Sequence, residues 1–155
     1  MQFLHRAKEF TNNKADLKKI YMLQVRSKLD QSAVVWHSGL KRKENKDLER
    51  VQKAALRVIL GEKYNSYKDA LNVMKMDSLE MRRHYLCLKF AKQCIKNEKL
   101  KKMFPKNQNK HRMEKRSGEK FLVNKAFTER YRRSAIPNMQ RLLNNSEKEK
   151  MEIEN

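Results

Sequence analysis

The chain has 155 residues, of which 38 are Lys or Arg and 18 Asp or Glu, for a formal charge of +20 and a pI near 10.1. That length fits one domain with a modest core plus tails, and the absence of any run of about 18 apolar residues excludes a membrane span. A surplus of this size makes a folded domain repel itself and points to a polyanionic partner, nucleic acid before a membrane surface or an acidic protein.

The basic surplus runs along the whole chain except its last ten residues, so it is not a tail effect. "MQFLHRAKEF" has no apolar core and does not read as a secretory signal. The two cysteines, Cys87 and Cys94, form no CxxC and fit a reducing compartment. The expectation is an intracellular protein, nuclear or cytoplasmic.

Three glycines and two prolines leave the first hundred residues nearly free of breakers, which predicts an all-α fold, a small bundle of about four to six helices with a basic, partly disordered C-terminal extension. A short helix is expected over about 2–10, with Thr11 or Asn13 as the next N-cap. A long helix follows from about Lys14 toward Val35, its buried face spelled by Leu17, Ile20, Tyr21, Val25 and Leu29. Trp36 then sits at the C-terminal end of that helix, beside a break at Gly39, where its ring can close the core between two helices. A helix from about Lys43 to Leu60 ends at Gly61, a fitting C′ residue. "NSYKDALNVMKM" predicts a short helix capped by Ser66, and "DSLEMRRHYLCLKFAKQCIK" a longer one capped by Asp77 or Ser78.

Pro105 closes a unit spanning residues 1–104. Residues 105–136 read as a basic linker, 137–145 as a short helix with Pro137 at its first position, and 146–155 as a disordered tail.

The chain lacks the residue patterns of the common active sites. No glycine-rich phosphate loop, HExxH, CxxC or GxSxG is present, and no two aspartates are neighbours, so nothing suggests a catalytic residue, a metal or a cofactor. His84, Cys87 and Cys94 look metal-like, but His84 and Cys94 are ten residues apart, about 15 Å along a helix. Both cysteines therefore read as small core residues. On the same helix Leu79, Leu86, Cys87, Phe90 and Cys94 share a face, with Arg83 in their midst. Phe90, Leu86 and Trp36 are expected in the core. Arg83 should make a structural ion pair with Glu49, Glu62 or Asp69.

The clearest functional pattern lies in "KENKDLERVQKAALRVIL". Leu48, Val51, Ala55, Val58 and Ile59 make a buried face, and Lys46, Arg50, Lys53 and Arg57 form a narrow stripe opposite. Cations one helical turn apart can follow a phosphate backbone and gain from counterion release. The plain alternative is a solvated face, with Glu49 pairing to Lys53 at i, i+4. A second basic set, Lys110, Arg112, Lys115, Arg116 and Lys120, then Arg130, Arg132 and Arg133 around Tyr131, mixes cations with an aromatic, a composition suited to single strands and equally found in disordered tails or nuclear-import segments.

The segments "DLKKIYMLQVRSKLDQSAVVWHSGL", "LERVQKAALRVILGEKYNSYKDALNVMKMDSLEMRRHYLCLKFAKQCIKN", "MFP" and "RYRRSAIPNMQRLLN" together resemble the C-terminal part of the endonuclease–reverse transcriptases of non-LTR retrotransposons, in the jockey-like group. The resemblance spans roughly residues 3–145, with Asp30 where many relatives carry Glu. It implies a helical thumb and the segment after it, "VVWHSGL" being the hinge between them. The family's palm, with its paired aspartates, would precede this region. The expectation is a non-catalytic fragment of an RNA-directed DNA polymerase that contacts template RNA or an RNA–DNA hybrid through phosphates and packs on the rest of the parent polypeptide. It implies no membrane and no small-molecule substrate. Two alternatives stand beside it: a helical protein-interaction module that docks on a missing palm, and a domesticated nuclear RNA-binding protein.

Overall fold

The computed structural model describes residues 2–106, 121–123 and 125–153, with side chains as far as residue 146. The described residues are helical apart from connections and one isolated antiparallel bridge, Lys106 to Phe121. The fold is all-α, and no described helix is long and apolar enough to cross a membrane. The chain divides into two compact units, Met1–Ala33 with Leu40–Arg83, and Val34–Gly39 with His84–Asn155. The division falls inside a helix, not after Pro105 where the composition changes.

In the first unit, α1 (Gln2–Phe10) leads to α2 (Lys14–Ile20), whose N-cap is Asn13, its side chain accepting from the Ala15 N–H. The expected long helix then changes character. Tyr21–Arg26 is a π-helix, α3 (Ser27–Asp30) resumes α-geometry, and the run stops at Ser32, where φ is +52°. The π segment also moves the buried face. In an α-helix, residues five apart point about 140° away from each other, whereas i→i+5 hydrogen bonding brings them closer to one side. Tyr21 and Arg26 are therefore both buried, while Val25 and Leu29, expected inside, are half-exposed. Asp30 receives Arg26 (3.9 Å) and Arg82 (3.4 Å), placing a carboxylate beside the inward guanidinium.

Helix α4 (Ala33–Trp36) is a separate four-residue helix followed by a 3-10 turn to Gly39, so Trp36 ends a short helix, half-buried. Helix α5 (Arg42–Leu60) ends at Gly61, with φ +57°, and α6 (Tyr67–Met74) starts on Ser66, which accepts from the Asp69 N–H. At the far end of α6, Lys18 Nζ donates to the Met74 carbonyl, supplying a cation to the helix C-terminus. Leu4, Leu17, Tyr21, Ala55, Leu56, Val58, Ile59, Leu60, Ala70 and Met74 form the core.

Helix α7 (Leu79–Lys96) begins behind Ser78, whose hydroxyl accepts from the Met81 N–H. Its buried side is Leu79, Arg83, Cys87, Ala91 and Cys94, a stripe turned from the expected one toward the small Ala91. Two expected core residues are displaced by that turn: Phe90 is 40% exposed and Leu86 is half-buried. Arg83 is fully buried, and its Nη2 donates to Oδ1 of Asn45, a partner outside the expected set.

In the second unit α8 (Glu98–Lys101) is capped by Asn97. A short helix α9 (Glu129–Arg132) precedes α10 (Ala135–Ile153), which is longer than the expected 137–145 and carries Pro137 in its first turn, where no N–H is needed. Ala91, Cys94, Phe104, Phe121, Met139 and Leu143 pack as its core. Polar side chains of α10 secure it: the Asn144 amide both donates to and accepts from the Phe121 backbone at 2.9 Å, and Gln140 donates to the Met103 carbonyl. Cys87 and Cys94 are both buried, burial pushes the Cys94 pKa up, and no described group of three His, Cys, Asp or Glu is placed to hold a metal.

Leu56→Ala should cost about 2–5 kcal/mol in urea unfolding, because a fully buried side chain leaves a cavity. Phe90→Ala should cost less than half as much as Leu56→Ala. Equal losses would contradict the turn of α7 described above.

Candidate nucleic-acid interface

Helix α5 is built to hold one rotation about its axis. The Lys41 N–H donates to Glu44 Oε2 at 2.7 Å at its start, and at its end the Gly61 N–H bonds the Arg57 carbonyl. Gln52, Ala55, Leu56, Val58, Ile59 and Leu60 face inward, against α1, α2 and α6. Leu48 and Val51, expected in this face, are only half-buried, because polar residues take the neighbouring positions. Asn45, Glu49 and Gln52 form a ladder with the chain at the start of α7. Asn45 accepts from Arg83, the Glu49 Oε1 accepts from the Glu80 N–H at 2.7 Å, and the Gln52 amide donates to the Asp77 carbonyl at 3.0 Å.

Each of Lys46, Arg50 and Lys53 stands one residue, about 100°, beyond a ladder residue. With Arg42 these cations line a shallow groove of about 550 Å³, shared with Asn45, Glu49, Tyr67 and Glu80. Arg57 lies one turn further on and is exposed. The row is thus Arg42, Lys46, Arg50, Lys53 and Arg57, at rises of about 4.5 or 6 Å. Arg42 extends the expected stripe by one turn at the same i, i+4 spacing from Lys46, a signal available in the sequence.

Two tyrosines, which sequence reasoning missed, position the far half of the row. The turn at Gly61 brings the chain back along α5, so that Tyr64 and Tyr67 pack their rings partly on the core. Lys53 Nζ lies 5.0 Å from the Tyr67 centroid and Arg57 Cζ 5.3 Å from that of Tyr64. Such contacts contribute about 0.5–1 kcal/mol each when exposed. Near the middle of the row, Arg50 meets Asp47 at 2.8 Å, a surface pair that a phosphate can readily replace.

Glu49 lines the same groove as the cations, and its carboxylate is held there by partners from two other elements. Besides the Glu80 N–H, in the electropositive first turn of α7, it accepts from the Tyr67 hydroxyl. Burial, and then that hydrogen bond to Glu49, push the Tyr67 pKa well up, so the phenol remains a donor at any ordinary pH.

Of the second basic set, Lys110, Arg112, Lys115, Arg116 and Lys120 lie outside the described residues. Arg130, Arg132 and Arg133 are exposed on and just after α9. Glu129 accepts from Arg132 at 2.7 and 2.9 Å and from Arg133 at 2.7 Å, so two of the three guanidiniums share one carboxylate. These bonds, with Arg132 contributing most, hold the Glu129 pKa at about 2 against an ordinary 4.5.

A carboxyl held low favours the paired form above its ordinary range and loses that pairing as pH falls toward about 2. Following the Glu129 side-chain carboxyl by NMR from about pH 6 to pH 1 should therefore place its midpoint near 2, and Arg132→Gln should move it up toward 4.5. A midpoint already at 4.5 in the unmodified chain would show that the cluster does not persist in solution. No family model, curated protein or solved structure matches this chain.

Proposed function

We propose that the chain is a non-catalytic, nucleic-acid-gripping helical segment of a non-LTR retrotransposon reverse transcriptase, holding template RNA or the template–primer hybrid by its phosphates. The observation that carries the binding is the convergence of Arg42, Lys46, Arg50 and Lys53 on one groove, with Glu49 engaged by Tyr67 and Glu80. Rings beneath Lys53 and Arg57 reduce the freedom those side chains lose on binding. The two rings beside this row, Tyr64 and Tyr67, pack partly on the core and already carry Arg57 and Lys53. The contact is therefore one of charge, made to the backbone and indifferent to base sequence. The link to reverse transcriptases rests on the resemblance of the "LERVQKAALRVILG" and "RR…LCLKFA" segments, and no adjacent aspartates are available to carry two-metal phosphoryl transfer.

A second reading, docking to another protein domain, is favoured by Met22 and Leu23, apolar neighbours exposed on the π-helical turn. The two readings separate in one measurement, binding of the chain to single-stranded RNA, duplex and hybrid across a salt series. Phosphate gripping predicts a steep salt slope, and Arg50→Glu, Lys53→Glu and Arg57→Glu together should flatten it by about 2 to 3, at about 0.7–0.9 per lost phosphate contact, and weaken binding. A flat slope in the unmodified chain favours docking. An unchanged slope and affinity in the triple variant removes α5 as the contact surface.

A further inference from the structure

Helix α7 carries a second ordered row that the α5 interface does not use. Tyr85, Lys89, Lys92 and Lys96 follow one another at spacings of four, three and four, the same intervals as Lys46, Arg50, Lys53 and Arg57. At about 100° per residue they fall within about 60° of arc, on the side away from buried Cys87, Ala91 and Cys94. With Leu88 and Gln93 they line a groove of about 300 Å³. Leu88 forms an apolar floor, since it packs partly on the core of the second unit. No acidic side chain lines this groove, and the three ammonium groups enter no ion pair among the described residues.

The chemistry differs from that of α5 in one respect. Tyr85 is 56% exposed, so part of its ring meets solvent, whereas the tyrosines beside α5 lie against the core and under cations. An exposed ring at the head of a lysine row is the combination that holds an unpaired strand: a base stacks on the ring while the following phosphates run along the cations. A duplex offers the cations its phosphates but keeps its base faces stacked against one another. An acidic peptide would satisfy the lysines through its carboxylates, but acidity alone supplies no partner for the exposed ring, whereas every unpaired nucleotide carries a base beside its phosphate. We propose that the Tyr85–Lys96 face of α7 is a binding site for single-stranded nucleic acid, with Tyr85 as the stacking platform and Lys89, Lys92 and Lys96 as phosphate contacts.

The site stands on residues separate from α5, so its test can succeed or fail independently. Binding of the full chain to a fluorescent oligouridine and to a duplex of equal length is measured by anisotropy across a salt series, in parallel with Tyr85→Ala, Tyr85→Phe and the combined Lys89→Gln, Lys92→Gln, Lys96→Gln variant. Tyr85→Ala should weaken oligouridine binding about ten-fold while changing duplex binding little, and Tyr85→Phe should retain affinity, because the ring and not the hydroxyl carries the stack. The triple variant should lower the single-strand salt slope by about 2, at about 0.7 per lysine. Because a weakened variant can also be a misfolded one, 5-iodouridine photo-crosslinking of the unmodified chain provides a second measurement, with the adduct expected on the peptide containing Tyr85. Equal behaviour of the Ala and Phe variants, an unchanged slope, an adduct confined to other peptides, or binding of an acidic helical peptide in place of oligouridine would each overturn the assignment.

Discussion

The polar ladder between α5 and the start of α7 is the contact on which the functional geometry depends. Asn45, Glu49 and Gln52 meet Arg83, Glu80 and Asp77 in antiparallel order, and both Gln52 and Arg83 are fully buried within it. An apolar face alone tolerates some rotation, because hydrophobic burial has no direction. Hydrogen bonds to buried groups do have one, and leaving such a group unpaired costs about 1–3 kcal/mol. The ladder therefore fixes the helix in angle, and the cations one residue further round are aimed with it.

Holding cations in a row has an electrostatic cost. Two unit charges 6 Å apart repel by about 0.7 kcal/mol in bulk water, and neighbours in the row stand within the Debye length of about 8–10 Å at physiological salt. Carboxylates stand near the row without forming an ion pair to most of it: Glu49 and Glu80 line the same groove, and Asp47 pairs with Arg50. Glu49 is directed to a phenol and to the first turn of α7, and Asp47 reaches only Arg50, in an exposed pair. Aromatic faces offset part of the cost for Lys53 and Arg57 without cancelling their charge. α9 follows the opposite rule: there Glu129 engages Arg132 and Arg133 directly, so an equally basic stretch of sequence presents less free charge.

The two helical rows share their spacing but not their surroundings, and the surroundings separate their chemistry. Beside α5 the rings belong to the core and support cations from below. On α7 the ring stands in the row itself, with its surface toward solvent. On α5 the rings stand beside the cations and under two of them, and on α7 the ring heads the row of cations.

The all-α class, the cap at Ser66, the stop at Gly61 and the spacing of the α5 stripe were legible in the sequence because each is a local matter of periodicity, side-chain hydrogen bonding or backbone freedom, and the caps at Asn13 and Ser78 were each narrowed to two candidates. Burial of Arg26 was not, since a π-helical turn changes the angle between residues while leaving their order intact. The exposure of Phe90 and half-burial of Leu86 were not legible either: which part of an apolar arc is covered depends on the elements packed against it, and those come from distant sequence. For the same reason Glu49 looked like a helix-local partner of Lys53 until α7 brought it the Glu80 amide and α6 the Tyr67 hydroxyl. Local sequence thus determined where helices start and stop and which residues share a side. Tertiary packing decided which of those sides was buried and which charges remained available, because a side chain's partners across the chain outcompete its neighbours along it.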